Sequence, residues 1–159
     1  MDTGSAKNVD KEGPDALAAQ FDAWLALTGQ ARTAGGNVRL PMLSGSMHPA
    51  LPRGCTLVIE PLANGGTATS GQVAVLARDG RLVAHRVLLR MGARVLEMGD
   101  ANRRAAWRPA AEIVGRVVGA LAVDGSALPD PGSRRRAWRN LLRHWRGSLL
   151  GVAGDEDAN

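Results

Sequence analysis

The chain has 159 residues, 45% of them hydrophobic, which suffices for one globular domain with a buried core. Its only cysteine is Cys55, so an internal disulfide and a cysteine-rich metal site are excluded. No apolar run approaches the roughly 18 to 20 residues of a membrane-spanning helix, and the polar N-terminus differs from a secretory signal. We therefore expect a cytoplasmic protein without a transmembrane segment.

The beginning of the chain predicts a polar tail followed by one helix. Residues 1–13 are rich in Gly, Ser, Lys and Asp, a composition typical of disorder. Pro14 suits the first turn of a helix, which we predict over about Asp15 to Gly29. The helix should pack on the core because its apolar residues fall mostly on one stripe, namely Leu17, Phe21, Trp24, Leu25 and Leu27.

The middle of the chain changes to short β-type runs separated by turn signals, and Arg78-Asp79-Gly80-Arg81 is a hairpin signal. We predict a mainly β domain over residues 14–132, leading helix included, built as a small antiparallel β-barrel or folded sheet. The six predicted strands are Val38–Leu43, Thr56–Pro61, Gln72–Ala77, Leu82–Leu89, Arg94–Glu97 and Ile113–Val123.

The end of the chain predicts a basic amphipathic helix over Ser133–Val152, followed by an acidic tail over residues 153–159. This helix could lie peripherally on an anionic membrane surface, cover the β core, or bind an acidic leader peptide. Its six arginines also suit nucleic acid. However, only one helix precedes the predicted strands, too little for a helix-turn-helix reader, so no nucleic-acid partner is expected.

The segment Leu43-Ser44-Gly45-Ser46-Met47-His48-Pro49 is the most informative in the chain. A serine in a turn after a β run is exposed and has free backbone N–H groups nearby. Such a serine can present its hydroxyl to a substrate and bind an oxyanion. A Ser-Gly-Ser turn is more often only a turn, so the nucleophile assignment needs further support.

Five motifs, in order, resemble the signal peptidase I and LexA-like serine peptidases. The Ser-Gly-Ser-Met-x-Pro segment resembles their nucleophile box. The others are Gly71-Gln72-Val73-Ala74-Val75, Val83-Ala84-His85-Arg86-Val87, Gly99-Asp100-Ala101-Asn102 and Ile113-Val114-Gly115-Arg116-Val117. The His-Arg-Val and Gly-Asp-x-Asn boxes are similar to those of the archaeal and endoplasmic-reticulum branch. The resemblance spans about Val38 to Leu121.

The resemblance implies a serine endopeptidase with Ser46 as nucleophile and His85 as general base. The family uses either lysine or histidine as base, and no lysine follows Lys11 in this chain. Of the other histidines, His48 is more suited to the substrate cleft or solvent, and His144 to the surface of the last helix.

The remaining site residues follow from the same resemblance. Asp100 either completes a triad with His85 or leaves a Ser–His dyad. Ser44 and the Ser46 N–H would form the oxyanion hole. Gly45 and Met47 would contact a substrate peptide with a small residue before the cut. The implied function is cleavage of a leader or signal-like peptide of a precursor protein, with no metal or cofactor. The alternative is an inactive peptide-binding or regulatory module on the same fold.

Overall fold

A computed structural model of the chain describes residues 21–24, 26–28, 36–63 and 67–151. The helical residues 21–24 and 26–28 form α1. The later elements are β1 (Val38–Pro41), β2 (Thr56–Pro61), β3 (Val73–Arg78), β4 (Arg81–Met91), β5 (Arg94–Met98), β6 (Ala106–Pro109), a short 3-10 helix (Ala110–Glu112), β7 (Ile113–Leu121) and α2 (Arg134–Gly151). The predicted terminal tails, residues 1–13 and 153–159, lie outside the described residues.

The described strands form one antiparallel sheet in the order β1-β2-β7-β3-β4-β5-β6. The sheet is curled into a half-barrel and leaves β1 and β6 as its edges. The predicted mainly β, antiparallel architecture is therefore confirmed. The strand β6, which pairs with β5, was not predicted.

The β3–β4 hairpin shows how local sequence sets the register. Arg78 pairs with Arg81 across a two-residue turn. Both turn residues, Asp79 and Gly80, have positive φ angles of 51° and 69°. Two positive φ angles define the turn whose twist matches that of paired strands, and Asp-Gly is a favoured pair for it. The hairpin predicted from Arg78-Asp79-Gly80-Arg81 is confirmed.

Both faces of the sheet are buried. One face carries the larger cluster, which includes Leu40, Met42, Leu57, Ile59, Val75, Ala84 and Val117. The other carries Ala74, Leu76, Val87, Val95 and Ile113. Helix α1 joins the first cluster through Trp24, as the predicted apolar stripe required. The Trp24 ring fits beside Gly115, because a Cβ there would lie 2.9 Å from the ring.

Helix α2 covers the sheet beyond the first cluster. Its buried residues Ala137 and Leu141 pack against Leu88, Leu96 and Met98 of β4 and β5. Its arginines and tryptophans remain largely on the outside. The predicted amphipathic C-terminal helix is thereby confirmed as a helix that covers part of the core. No described helix combines the length and the apolar character needed to cross a membrane.

The single thiol, Cys55, is fully buried beside β2. Burial raises its pKa above the ordinary value of 9.0, because a thiolate would lose its hydration. We expect an aromatic disulfide reagent at pH 8 to react with it at least about 100-fold more slowly in the native protein than in concentrated guanidinium. Guanidinium should release one equivalent of thiol. Equal rates in both solutions would show that Cys55 is accessible in the folded chain.

Candidate active site

The turn that carries Ser46 is held at both ends by the sheet. Strand β1 ends at Pro41, and Met42 donates its N–H to Cys55 O at 2.7 Å before the chain turns away. Within the turn, the His48 N–H donates to Gly45 O at 3.1 Å and the Leu51 N–H to Met47 O at 3.0 Å. These hydrogen bonds fix a loop whose polar residues face outward.

The two serines of this loop are in contact. The hydroxyl oxygens of Ser44 and Ser46 lie 3.1 Å apart, a hydrogen-bond distance. Ser46 is half-buried and Ser44 is exposed. Within the described part of the chain, the Ser46 N–H has no acceptor, while Ser46 O accepts from the Ala101 N–H at 2.9 Å. The loop therefore offers a hydroxyl together with a free N–H and a second hydroxyl beside it.

An apolar pocket opens next to Ser44, and its cavity volume is about 50 Å³. That volume suits a small side chain, since a single water needs roughly 10–15 Å³ on this measure. Ser44 contributes the hydroxyl, and the apolar lining residues are Leu40, Pro41, Met42, Leu43, Leu57, Ile59, Val75, Leu82 and Ala84. Edge strand β1 therefore forms part of the pocket wall.

The structure places the two predicted substrate-contact residues differently. Gly45 is exposed, and a Cβ added to it would meet nothing within 4 Å. Met47 has no exposed surface and belongs to the core cluster beneath the loop. The prediction that Met47 contacts the substrate peptide is corrected: its side chain anchors the loop to the core.

His85 lies in the middle of β4 and is buried. Its Nδ1 atom makes a short hydrogen bond with Glu97 Oε2 on neighbouring strand β5. A carboxylate can only accept, so Nδ1 carries the hydrogen, and in the neutral ring Nε2 is the nitrogen with the lone pair. The other oxygen, Glu97 Oε1, lies 3.9 Å from Arg78 Nη1 and 3.7 Å from Arg108 Nε. A buried carboxylate thus orients the His85 ring and selects the neutral tautomer that is suited to general-base chemistry.

No hydrogen bond joins Ser46 and His85 among the described residues. Among the described residues, Ser44 is the only hydrogen-bond partner of Ser46 Oγ. The register pairs Arg86 with Met98, which, continued by one residue, sets His85 across from Gly99. A Cβ on Gly99 would lie 2.6 Å from Ser46 O, so the serine loop rests on this glycine. Gly99 thus contacts the Ser46 backbone, and the continued register places it beside His85 on the backbone of β4.

Asp100 is hydrogen-bonded to Arg86 and not to His85, so of the two predicted alternatives, triad or dyad, the triad through Asp100 is not formed. Its two carboxylate oxygens accept from Arg86 Nε and Nη2 at 2.8 and 2.6 Å, and Oδ1 also accepts from Asn140 Nδ2 at 2.8 Å. Arg86 has no exposed surface, and its Nη1 donates to Gly71 O and Pro131 O. The reason is the alternation of β4: consecutive side chains point to opposite faces. Arg86 therefore meets Asp100, and His85 meets Glu97.

The other two histidines are not part of the His85–Glu97 pair. His48 is exposed on the serine loop. His144 on α2 accepts the Ala105 N–H at its Nδ1 atom, at 3.2 Å. Neighbouring Arg143 donates to Asp100 O at 2.9 Å and to Asn102 O at 3.2 Å. Helix α2 is thereby fastened to the loop after β5, which in turn holds Ser46 O through Ala101.

Sequence reasoning did not single out Glu97 or the role of Arg86. A signal for Glu97 was present, because Val95 and Glu97 are two residues apart and share one face of a strand. An acid on a buried face requires a charged or hydrogen-bonding partner. Identifying that partner as His85 required the pairing of β4 with β5.

Within the described residues, no group of three or more His, Cys, Asp or Glu side chains is arranged to hold a metal ion. Compared with protein-family models, with curated proteins and with solved structures, the chain matches none. The geometry of the site and the motif resemblance are therefore the basis for proposing a function.

Proposed function

We propose that the protein is a serine endopeptidase of the signal peptidase I type that cleaves a leader or signal-like peptide after a small residue. The observation that carries this proposal is the contact between the Ser44 and Ser46 hydroxyls, 3.1 Å apart, with Ser44 lining the small apolar pocket. A reactive hydroxyl, an oxyanion donor and a side-chain pocket are the parts that peptide-bond hydrolysis needs at one place.

In the proposed reaction, Ser46 Oγ attacks the scissile carbonyl carbon while His85 Nε2 takes the hydroxyl proton. The Ser46 N–H and the Ser44 hydroxyl donate to the oxyanion. His85 then gives the proton to the leaving amine, and water hydrolyses the acyl ester by the same route. Glu97 holds the ring and stabilises the imidazolium. Substrate binding must bring Ser46 and His85 into hydrogen-bond distance, as commonly happens when a Michaelis complex forms.

The substrate would bind as an extended peptide along β1. That strand is an edge of the sheet, and its pocket-lining residues Leu40 and Pro41 lie just before the serine loop. An edge strand can add a peptide through main-chain hydrogen bonds, while a pocket selects one side chain. The cavity of about 50 Å³ favours an Ala-sized residue over Leu or Phe before the cut.

A peptide-binding or regulatory module on the same fold is the second candidate. The observation that favours it is the absence of a hydrogen bond between the described residues Ser46 and His85. The His85 ring also lies on the face of β4 opposite pocket residue Ala84. The edge strand and the pocket would serve a bound peptide without cleavage equally well.

Cleavage of precursor peptides by the full chain separates the two candidates. We expect candidate precursors with Ala before the cut to be hydrolysed, and Ser46→Ala to reduce kcat by at least about 10⁴-fold. Ser70→Ala is the matched control, because the Ser70 hydroxyl donates to Leu88 O away from the pocket. Peptide binding without cleavage by either protein would favour the module; equal cleavage by wild type and Ser46→Ala would refute the nucleophile.

A further inference from the structure

Helix α2 presents a second, exposed apolar stripe along the border of its buried face. Trp138, Leu142 and Trp145 are 61%, 49% and 53% exposed. They are spaced by four and three residues, so they share one face of the helix. These three residues are here called the outer stripe. The inner face, with Ala137 and Leu141, is already buried against the sheet. The outer stripe is not part of that buried cluster.

The outer stripe is bordered by positive charge. Arg135, Arg139 and Arg146 are exposed on the same side of α2, and no described carboxylate pairs with them. The helix sequence Arg134–Gly151 contains no acidic residue. Large apolar side chains beside unneutralised arginines match an anionic, partly apolar surface, whereas a neutral or apolar partner would leave those charges unpaired.

The stripe is held rigidly on the body of the protein. Asn140 Nδ2 donates to Asp100 Oδ1 at 2.8 Å, and Arg143 donates to the carbonyls of Asp100 and Asn102. These contacts come from the opposite or lateral sides of the helix and leave the outer stripe free. A surface that is already helical and fixed loses little conformational freedom on binding.

We propose that this face of α2 binds the surface of an anionic phospholipid bilayer. Trp138, Leu142 and Trp145 enter the boundary between headgroups and acyl chains, and Arg135, Arg139 and Arg146 contact lipid phosphates. This is the residue distribution of helices that lie in the membrane plane. The inference does not depend on catalysis by Ser46, and it accounts for tryptophans that the fold leaves exposed.

Co-sedimentation of the full chain with vesicles tests the proposal. We expect binding to vesicles of 30% phosphatidylglycerol in phosphatidylcholine at 0.1 M NaCl, at least tenfold weaker binding to pure phosphatidylcholine, and release at 1 M NaCl. Arg135→Gln with Arg139→Gln should weaken binding by about 30-fold, because each arginine near such a surface contributes roughly fivefold. Trp138→Gln with Trp145→Gln should weaken binding at least tenfold.

The control variants carry the same kinds of substitution at positions outside α2. Arg39→Gln with Arg81→Gln removes two exposed charges from β1 and β4, and Trp107→Gln removes a partly exposed tryptophan from β6. Each should change vesicle binding less than about threefold, and all variants should unfold at temperatures close to that of the wild type. Equal loss in helix and control variants would overturn the proposal. Failure to bind anionic vesicles would also overturn the proposal, and this includes the case in which the chain binds an acidic peptide or RNA and no vesicles.

Discussion

Asp100→Asn is expected to lower the free energy of unfolding by about 3 to 5 kcal/mol. Asp100 is the only described acid in contact with Arg86, whose side chain is completely buried. The neutral amide would leave the guanidinium charge in a low-dielectric site without its counter-charge, and it would disturb the bond from Asn140. Denaturant unfolding of the two proteins, monitored by circular dichroism, measures the difference.

The matched control is Asp79→Asn at the tip of the β3–β4 hairpin. Asp79 is exposed and has a positive φ, which asparagine also tolerates, so its change should stay within about 0.5 kcal/mol. Replacing both members of the pair, Arg86→Met with Asp100→Leu, should recover part of the lost stability, since no charge then remains unpaired. Equal stability of wild type and Asp100→Asn would contradict the structural role given to this residue.

Glu97→Gln is expected to reduce kcat for precursor cleavage by about 10³ to 10⁴-fold with little change in KM. The amide no longer fixes the His85 ring in the tautomer that leaves Nε2 free, nor does it stabilise the imidazolium that forms during catalysis. His85→Ala should cost at least as much, because it removes the base itself. Steady-state kinetics on one precursor peptide measure both variants.

Asp100→Asn provides the contrast for that experiment. Assayed at a temperature at which it remains folded, it should keep kcat within about tenfold of wild type, because Asp100 pairs with Arg86 and not with His85. If Asp100→Asn were inactive and Glu97→Gln active, Asp100 and not Glu97 would be the acid that supports His85.

Much of the β architecture could be predicted from local patterns. The predicted strand Thr56–Pro61 coincides with β2, and the Asp-Gly turn fixed the β3–β4 hairpin. The strand β6 was missed because Ala-Trp-Arg-Pro is short, contains a proline and does not alternate between apolar and polar residue types. Proline is tolerated there because β6 is an edge strand, and that position is known only from the assembled sheet.

The candidate site was predictable in part. Ser44 and Ser46 share one turn, and the contact between their hydroxyls follows from that short spacing. Met47 could not be placed, because side-chain directions in an irregular turn follow no period. Which acid lies next to His85 is decided by the pairing of β4 with β5, and the register of that pairing shifts between Val87 and Leu89. A sequence motif that lists His85 and Asp100 together does not contain that information.

Labelling by a fluorophosphonate, followed by peptide mass spectrometry, tests whether Ser46 is a nucleophile activated by His85. Only a serine activated by a base reacts quickly with such a reagent. We expect one adduct, on Ser46, that is absent in Ser46→Ala and formed at least about 100-fold more slowly in His85→Ala, while Ser44→Ala still reacts at Ser46. No adduct on the wild type, or equal labelling of wild type and His85→Ala, would contradict a serine nucleophile activated by His85.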